Sequence, residues 1–199
     1  MARRKGQSLG RKDVVAAGIA SIEEEGPEAL NVNRVAQRLG IRTPSLYNHV
    51  AGADDLRRAV VLEVMERATR EVVVDPLDEQ EPMSFVRALA NGLRRFAQAN
   101  SNLYLFLMAA PVSWDTEPYS PHWAATQERF TASVAGFNLP PDELLHAARY
   151  VTSAIQGFIR LELRGSFAQH GKVDESFVWM LDQLSATLRA RAEALRNAR

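Results

Sequence analysis

The sequence contains no cysteine among its 199 residues. Disulfide bonds, thiol catalysis and zinc sites built on thiolates are therefore excluded, and any metal site would need histidine and carboxylate ligands alone. Only four histidines are present, and none is spaced from another histidine or from a carboxylate as metal ligands on one helix face usually are. We expect neither a bound metal nor another cofactor.

The sequence also lacks long apolar runs and the motifs of common enzymes. The longest apolar stretches, such as residues 103–112, are too short to span a bilayer, and no apolar segment of a secretory signal follows the basic N-terminus. There is no phosphate-binding glycine loop, nucleophile elbow or HExxH zinc motif. These absences favour a cytoplasmic protein that is neither an enzyme nor a membrane protein.

Charge is balanced over the whole chain but unevenly distributed. The formal net charge is zero, with 24 basic and 24 acidic residues. Residues 1–12 carry five basic side chains and no acidic one, whereas residues 75–81 carry four acidic side chains and no basic one. A basic end on a neutral chain indicates an anionic partner, although a solvated tail is the alternative.

Helical periodicity runs through most of the sequence. No stretch alternates between apolar and polar residues as a strand between hairpin turns does, so we predict an all-α protein. Proline and glycine fall at the joints between the predicted helices. These helices span residues 11–25, 32–39, 43–49, 54–73, 83–99, 102–109, 121–135, 141–164 and 174–196.

Residues 31–50 have the form of a helix-turn-helix. Asn31 is a predicted N-cap, Gly40 lies just past the end of the first short helix, and Pro44 occupies the favoured first position of the second. Short donors and acceptors gather on this second helix, where a recognition helix would need them to reach base edges and phosphates in a major groove. A solvated helical face is the alternative interpretation of this polar surface.

The run VAQRLGIRTPSLYNHV, residues 35–50, resembles the recognition segment of TetR-family transcriptional regulators. The matching positions are Val35, Ala36, Gly40, Ile41, Leu46, Tyr47, His49 and Val50. The preceding amphipathic helix and Leu56, which opens a long helix, extend the resemblance over residues 11–60. It implies a helix-turn-helix DNA-binding domain with a basic arm over residues 1–52, followed by a helical-bundle domain over residues 53–199 that binds a ligand and dimerises.

The resemblance also implies which residues contact DNA. Base and backbone contacts fall on the start of the second helix, phosphate clamps on Tyr47 and His49, and a further contact near the start of the first helix. At Ala53 the family commonly has a phosphate-binding lysine, and we expect Arg42 and the basic arm to replace that positive charge. The predicted DNA-binding residues are Asn33, Arg42, Thr43, Pro44, Ser45, Tyr47, Asn48, His49 and, in the arm, Arg3, Arg4 and Lys5.

Residues 152–167 resemble the penultimate helix of one TetR subgroup, whose G-F/L-x-x-L-E pattern appears here at Gly157, Phe158, Leu161 and Glu162. The last helix carries an apolar stripe like a bundle seam. The resemblance implies that these two helices pair with their copies in a four-helix dimer interface, and a monomer core is the alternative. The predicted interface residues are Ile155, Phe158, Ile159, Phe177, Leu181, Leu184 and Leu188.

Aromatic and methionine side chains concentrate in residues 96–158. An apolar pocket with a few polar groups is the usual site for a small ligand, although aromatic residues in a helical bundle more often form plain core. We predict that an apolar or aromatic effector binds among Tyr104, Met108, Trp114, Trp123 and Tyr150.

These patterns predict a ligand-responsive, DNA-binding transcriptional regulator. In this interpretation a homodimer represses from a double-stranded DNA operator and is released by a small molecule. The alternative is a helical protein-interaction module without DNA binding. The neutral net charge and Ala53 favour that alternative, whereas the basic arm and the intact Thr-Pro-Ser-Leu-Tyr-Asn-His run disfavour it.

Overall fold

The computed structural model describes residues 9–72, 81–110, 121–168 and 171–198. Over these ranges the chain is helical and forms no β-strand, so the all-α prediction is confirmed. A short 3-10 turn, Pro27–Ala29, separates the first two helices. The helices are α1 Arg11–Glu25, α2 Val32–Arg38, α3 Thr43–Leu46, α4 Ala53–Val72, α5 Met83–Ala99, α6 Ser101–Ala109, α7 Pro121–Ala135, α8 Pro141–Leu163 and α9 Val173–Asn197.

Local sequence signals set most of the helix boundaries. Gly26 ends α1 with a φ of 99°, and its N–H donates to the carbonyl of Ile22. The side chain of Asn31 accepts a hydrogen bond from the N–H of Arg34 at 2.9 Å, which confirms the predicted N-cap of α2. Gly40 follows α2 with a φ of 67°, a left-handed conformation that glycine adopts without strain. Apart from the end of α3, every other boundary agrees with the prediction or differs from it by one residue, which is the usual uncertainty at a helix end.

Helix α3 is shorter than predicted. It ends at Leu46 rather than at residue 49. The N–H groups of His49 and Val50 both donate to the carbonyl of Leu46, at 2.9 and 3.2 Å, so the chain closes a turn instead of continuing the helix. This turn buries Val50 in the core. Asn48 has low helix propensity, so it does not favour continuation of α3 beyond Leu46.

The described residues form two compact units. Residues 9–68 and 100–110 belong to the first unit, and residues 69–72, 81–99, 121–168 and 171–198 to the second. Helix α4 contributes to both, while α6 packs in the first unit against α1 and the 3-10 turn. The predicted functional boundary between residues 52 and 53 stays a prediction.

The core of the first unit lies between α1 and its neighbours. Its buried members include Val14, Ile22, Val35, Leu46, Leu56 and Val60. Gly18 lets α1 approach this core closely, because a Cβ at that position would lie 2.9 Å from Cγ2 of Val60 and 3.0 Å from Cδ1 of Leu30.

In the second unit, α8 and α9 run antiparallel. Near one end the rings of Phe158 and Phe177 contact each other with centroids 5.1 Å apart, and at the other Glu143 pairs with Arg191. Helix α5 contacts α7 and α8, and α7 also contacts α8. The buried faces of these helices form the core of the unit.

The G-F-x-x-L-E pattern fastens α8 to α5 and α9. Glu162 accepts two hydrogen bonds from the guanidinium of Arg94 on α5, at 2.7 and 2.5 Å, and Arg94 also contacts Asp174 on α9 at 2.6 Å. These hydrogen bonds raise the pKa of Arg94, and its guanidinium lies 4.7 Å from the ring centroid of Phe177. Phe158 and Glu162 therefore make their contacts inside the chain.

We predict that Gly18→Ala lowers the free energy of unfolding by about 1–2 kcal/mol. The added methyl overlaps Val60, whose β-branched side chain has little rotamer freedom in a helix, and overpacking of this kind costs roughly 1–3 kcal/mol. The higher helix propensity of alanine, about 1 kcal/mol, offsets only part of that cost.

Urea denaturation at a fixed protein concentration measures this change. The double variant Gly18→Ala/Val60→Ala removes the overlap with Val60, the closer of the two contacts, so its loss of stability should be smaller than the sum of the two single losses. A Gly18→Ala protein as stable as the wild type would show that the close approach of α1 imposes no constraint.

Candidate nucleic-acid interface

Helices α2 and α3 form a helix-turn-helix. The N–H of Ile41 donates to the carbonyl of Ala36 at 3.0 Å, and the N–H of Gly40 donates to the carbonyl of Gln37 at 3.0 Å. These two bonds, together with the left-handed conformation of Gly40, form the Schellman ending of a helix. Leu46 and Val50 are buried beyond the turn. The turn and these two anchors set the direction of α3 relative to α2.

Helix α3 presents a polar surface to solvent. Pro44 and Ser45 are exposed, as are Tyr47 and Asn48 in the turn that follows. Leu46 points the opposite way and is fully buried. The apolar side of this short segment therefore faces the core and its hydrogen-bonding side faces outward, as a recognition helix requires.

The structure brings the predicted DNA-binding residues of α2 and α3 together. Thr43, at the first position of α3, donates its hydroxyl hydrogen bond to the Oδ1 atom of Asn33 on α2 at 3.0 Å. Arg42 is exposed beside them, and His49 is half-buried. The predicted arm residues Arg3, Arg4 and Lys5 lie outside the described residues. The role of each residue toward DNA stays a prediction.

Sequence reasoning missed the ion pairs of the two α2 arginines. Arg34 pairs with Glu25, and Arg38 pairs with Glu24, both carboxylates belonging to the last turn of α1. The hydrogen bond from Arg38 holds the pKa of the Glu24 carboxyl below its ordinary value. Both arginines are thus matched by a negative charge and add little net positive charge to the surface. The acidic run at residues 23–25 was the available signal.

Another ion pair joins the start of α1 to the start of α4. Arg11 donates to both carboxylate oxygens of Asp55, at 2.7 and 2.5 Å, and to the backbone carbonyl of His49 at 3.0 Å. Asp55 also accepts from the N–H of Ala51 at 2.8 Å. The Arg11 hydrogen bond, followed by the Ala51 bond, lowers the pKa of the Asp55 carboxyl to about 2.

The predicted dimer-interface residues lie mostly inside the second unit. Phe158 is half-buried. The others are buried within their own chain: Ile155, Ile159, Phe177, Leu181, Leu184 and Leu188. Such side chains have almost no surface left to bury against a second chain, as the monomer-core alternative expects. Other apolar side chains on the same two helices are exposed, namely Leu145, Tyr150, Leu161, Val178 and Trp179.

The predicted ligand-binding residues are divided between the two units. Tyr104 is buried and Met108 half-buried on α6 of the first unit. In the second unit Trp123 is half-buried on α7 and Tyr150 is exposed on α8. Trp114 lies outside the described residues. Their role as a ligand site stays a prediction.

The described residues hold neither a metal cluster nor a membrane-spanning helix. No group of three or more histidine, aspartate or glutamate side chains among them is placed to hold a metal ion. No helix in the same ranges combines the length and apolar character needed to cross a membrane.

Known proteins match both parts of the chain. The family model of the tetracyclin repressor-like C-terminal domain matches residues 86–184. An uncharacterized HTH-type transcriptional regulator of Mycobacterium tuberculosis is 27% identical over 161 residues, which cover 79% of this chain and 72% of that protein.

Solved structures share the fold. ActR of Streptomyces coelicolor, in complex with (S)-DNPA, matches with a TM-score of 0.68 and 20% identity, covering 94% of this chain and 100% of that chain. BioQ, bound to its natural double-stranded DNA operator, matches with a TM-score of 0.66 and 20% identity, covering 90% and 99%.

These matches agree with the resemblance of residues 35–50 to a TetR recognition segment. The family model covers the C-terminal part, the bacterial relative spans both parts, and the solved structures share the arrangement of a helix-turn-helix with a helical domain. The chain belongs to the TetR family of transcriptional regulators, which are DNA-binding proteins and not enzymes.

Proposed function

We propose that the protein is a ligand-responsive repressor. A homodimer binds a double-stranded DNA operator, and a small apolar or aromatic molecule releases it. The observation that carries this proposal is the polar surface of α3. Thr43 connects this surface to Asn33 by a hydrogen bond, and the buried side chains of Leu46 and Val50 hold its opposite side in the core. Paired recognition helices of a dimer read half-sites about one helical turn apart or a multiple of it.

Different residues of the recognition surface contact bases and phosphates. Ser45 is exposed within the first turn of α3, where a short hydroxyl can reach a base edge. Tyr47 is exposed beyond the end of α3, and its longer side chain suits a phosphate oxygen. Phosphate contacts fix the position of a protein on DNA without reading the sequence.

We predict that Ser45→Ala changes the preferred operator sequence, because removal of one good base contact costs roughly 1–3 kcal/mol at that base pair. Tyr47→Phe should instead weaken binding to all sequences alike. The measurement is the affinity of each variant for a set of operators substituted at one base pair at a time.

The opposite pattern, with an altered preference for Tyr47→Phe and an unchanged one for Ser45→Ala, would reverse these two roles. The operator itself comes from selection of genomic DNA by the wild-type protein. If that selection enriches no sequence at moderate salt, the proposed function fails.

The basic arm adds to the positive charge that Arg42 gives the helix-turn-helix. The α2 arginines are paired with carboxylates, and Ala53 carries no charge where the family commonly has lysine. We infer that Arg3, Arg4 and Lys5 bind phosphates beside the recognition helix.

Replacing these three arm residues by alanine should lower DNA affinity. The dependence of log K on log salt should become shallower by up to about 0.9 for each phosphate that the arm no longer neutralises, since fewer counterions are released. Titrations at several salt concentrations measure the slope. An unchanged slope would identify the arm as a solvated tail.

We infer that the dimer interface lies on the outer face of α8 and α9. Leu161 is 45% exposed there, Val178 53% and Trp179 65%. Gly157 lies on the same outer side of α8, and a Cβ added to it would meet nothing within 4 Å. A glycine inside a helix lowers stability by about 1 kcal/mol relative to alanine. Within the chain itself, no neighbouring atom requires a glycine at position 157. Close approach of a second copy, as in the dimers of the family, accounts for both features.

We predict that Trp179→Ala raises the dimer dissociation constant at least about tenfold, because truncating a central interface tryptophan typically costs ~2 kcal/mol. The helix content of the Trp179→Ala variant should equal that of the wild type. Leu184→Ala, on the same helix but buried, should instead destabilise the fold by roughly 2–5 kcal/mol. Sedimentation velocity and urea denaturation separate the two effects. An undiminished dimer for Trp179→Ala would place the interface elsewhere.

The effector acts through its differential affinity for two states of the dimer. A ligand shifts a protein between DNA-competent and DNA-incompetent states by no more than that difference. The aromatic side chains at Tyr104, Trp114, Trp123 and Tyr150, with Met108, support an apolar or aromatic ligand. ActR, which shares this fold, is a precedent for a small-molecule complex.

A further inference from the structure

The recognition segment, which here means α3 and the turn that follows it as far as Val50, cannot fix its own orientation. Helix α3 has four residues, and a helix of one turn forms only when tertiary contacts fix it. Leu46 and Val50 anchor its inner side in the core. At the far end of the segment, the backbone hydrogen bonds of the turn after Leu46, from Asn48, His49 and Val50, reach only Ser45 and Leu46 inside the segment, so its polar contacts with the rest of the unit come from other side chains.

Arg11 supplies those contacts at the far end. Its Nη1 atom donates to the carbonyl of His49 at 3.0 Å and to Asp55 at 2.7 Å, while Nη2 donates to the other oxygen of Asp55 at 2.5 Å. Asp55 in turn accepts from the N–H of Ala51 at 2.8 Å. The first turn of α1, the end of the recognition segment and the first turn of α4 therefore meet at one guanidinium–carboxylate pair.

This pair is partly exposed to solvent. The Arg11 side chain is 49% exposed and the Asp55 side chain 30%. Ion pairs at that exposure contribute little to stability, so stability alone is a weak reason for the arrangement. A carboxylate near a phosphate-binding surface also repels DNA, which makes Asp55 unfavourable for simple charge attraction.

We propose that Arg11 and Asp55 are positioning residues for operator reading: they fix the end of the recognition segment against α1 and α4, and Arg11 is not a phosphate ligand. This inference rests on the proposed function. Base reading needs side chains held within about 0.5 Å and 10–20° of their productive geometry, whereas nonspecific binding tolerates more freedom. Disruption of the pair should therefore reduce specificity more than general affinity for DNA.

The low pKa of Asp55, about 2, keeps its carboxylate ionised at neutral pH. The substitution Asp55→Asn then removes one negative charge with almost no change in shape. Electrostatics alone predicts that this variant binds all DNA more tightly. The positioning role predicts the opposite sign for the operator, and this difference makes the test decisive.

The experiment measures the affinity of full-length wild type and variants for the operator and for a random duplex of equal length, at one salt concentration. For Asp55→Asn we expect operator affinity to fall at least about tenfold while affinity for the random duplex stays constant or rises. Arg11→Lys keeps the charge but loses the forked geometry, and it should lower the same specificity ratio. Asp54→Asn, the matched control, removes a charge from the same turn and should leave the ratio unchanged.

Other outcomes overturn the proposal. Tighter binding of Asp55→Asn to both duplexes would show that the carboxylate acts only by repulsion. An equal loss of affinity on both duplexes, matching a loss of folded dimer measured by circular dichroism and sedimentation, would show a purely structural pair. A wild-type ratio retained in Arg11→Lys, together with a shallower salt slope when Arg11→Gln is titrated with operator at several salt concentrations, would make Arg11 a phosphate ligand. If the wild type itself does not distinguish operator from random DNA, the proposed function fails before the variants are compared.

Discussion

The proposed DNA-reading surface depends on the burial of Leu46 and Val50. Helix α3 is too short to exist without them, because a single helical turn does not recover the entropy of fixing its backbone. Once these side chains are buried, the neighbouring polar residues have to face outward. The Schellman ending at Gly40 then sets the angle between α2 and α3, and with it the direction in which the polar side of α3 faces. A few apolar contacts thus hold a surface whose own residues contribute little to stability.

Ion pairs within the first unit explain how a DNA-binding chain has no net charge. The last turn of α1 carries Glu23, Glu24 and Glu25, at the helix end where acidic side chains are least favourable. Arginines from α2 and α4 pair with them and join the three helices. These arginines serve the fold, so net charge is a poor guide to DNA binding in this protein. We propose that attraction to phosphate comes from Arg42, from polar groups of the recognition surface and from the arm.

The α8–α9 pair shows why an apolar stripe does not identify a dimer interface. Both helices carry apolar residues on more than one side. The side with Ile155, Ile159 and Leu181 fills the core of the chain, and the side with Leu161 and Trp179 is exposed. Glu162 and Phe158 turn inward toward Arg94, while Gly157, the residue before Phe158, stays on the outer side. Only the exposed side has surface to bury against a second chain.

The sequence by itself determined the helical class, nearly every helix boundary and the helix-turn-helix. These features rest on local chemistry: a left-handed glycine at Gly40, a capping side chain at Asn31 and helical spacing of apolar residues. Only the tertiary structure decided that Arg11 meets Asp55, 44 residues away, and which apolar side of α9 is buried. Periodicity shows that a side chain is apolar but not what covers it, and pairings between distant charges depend on how the helices pack.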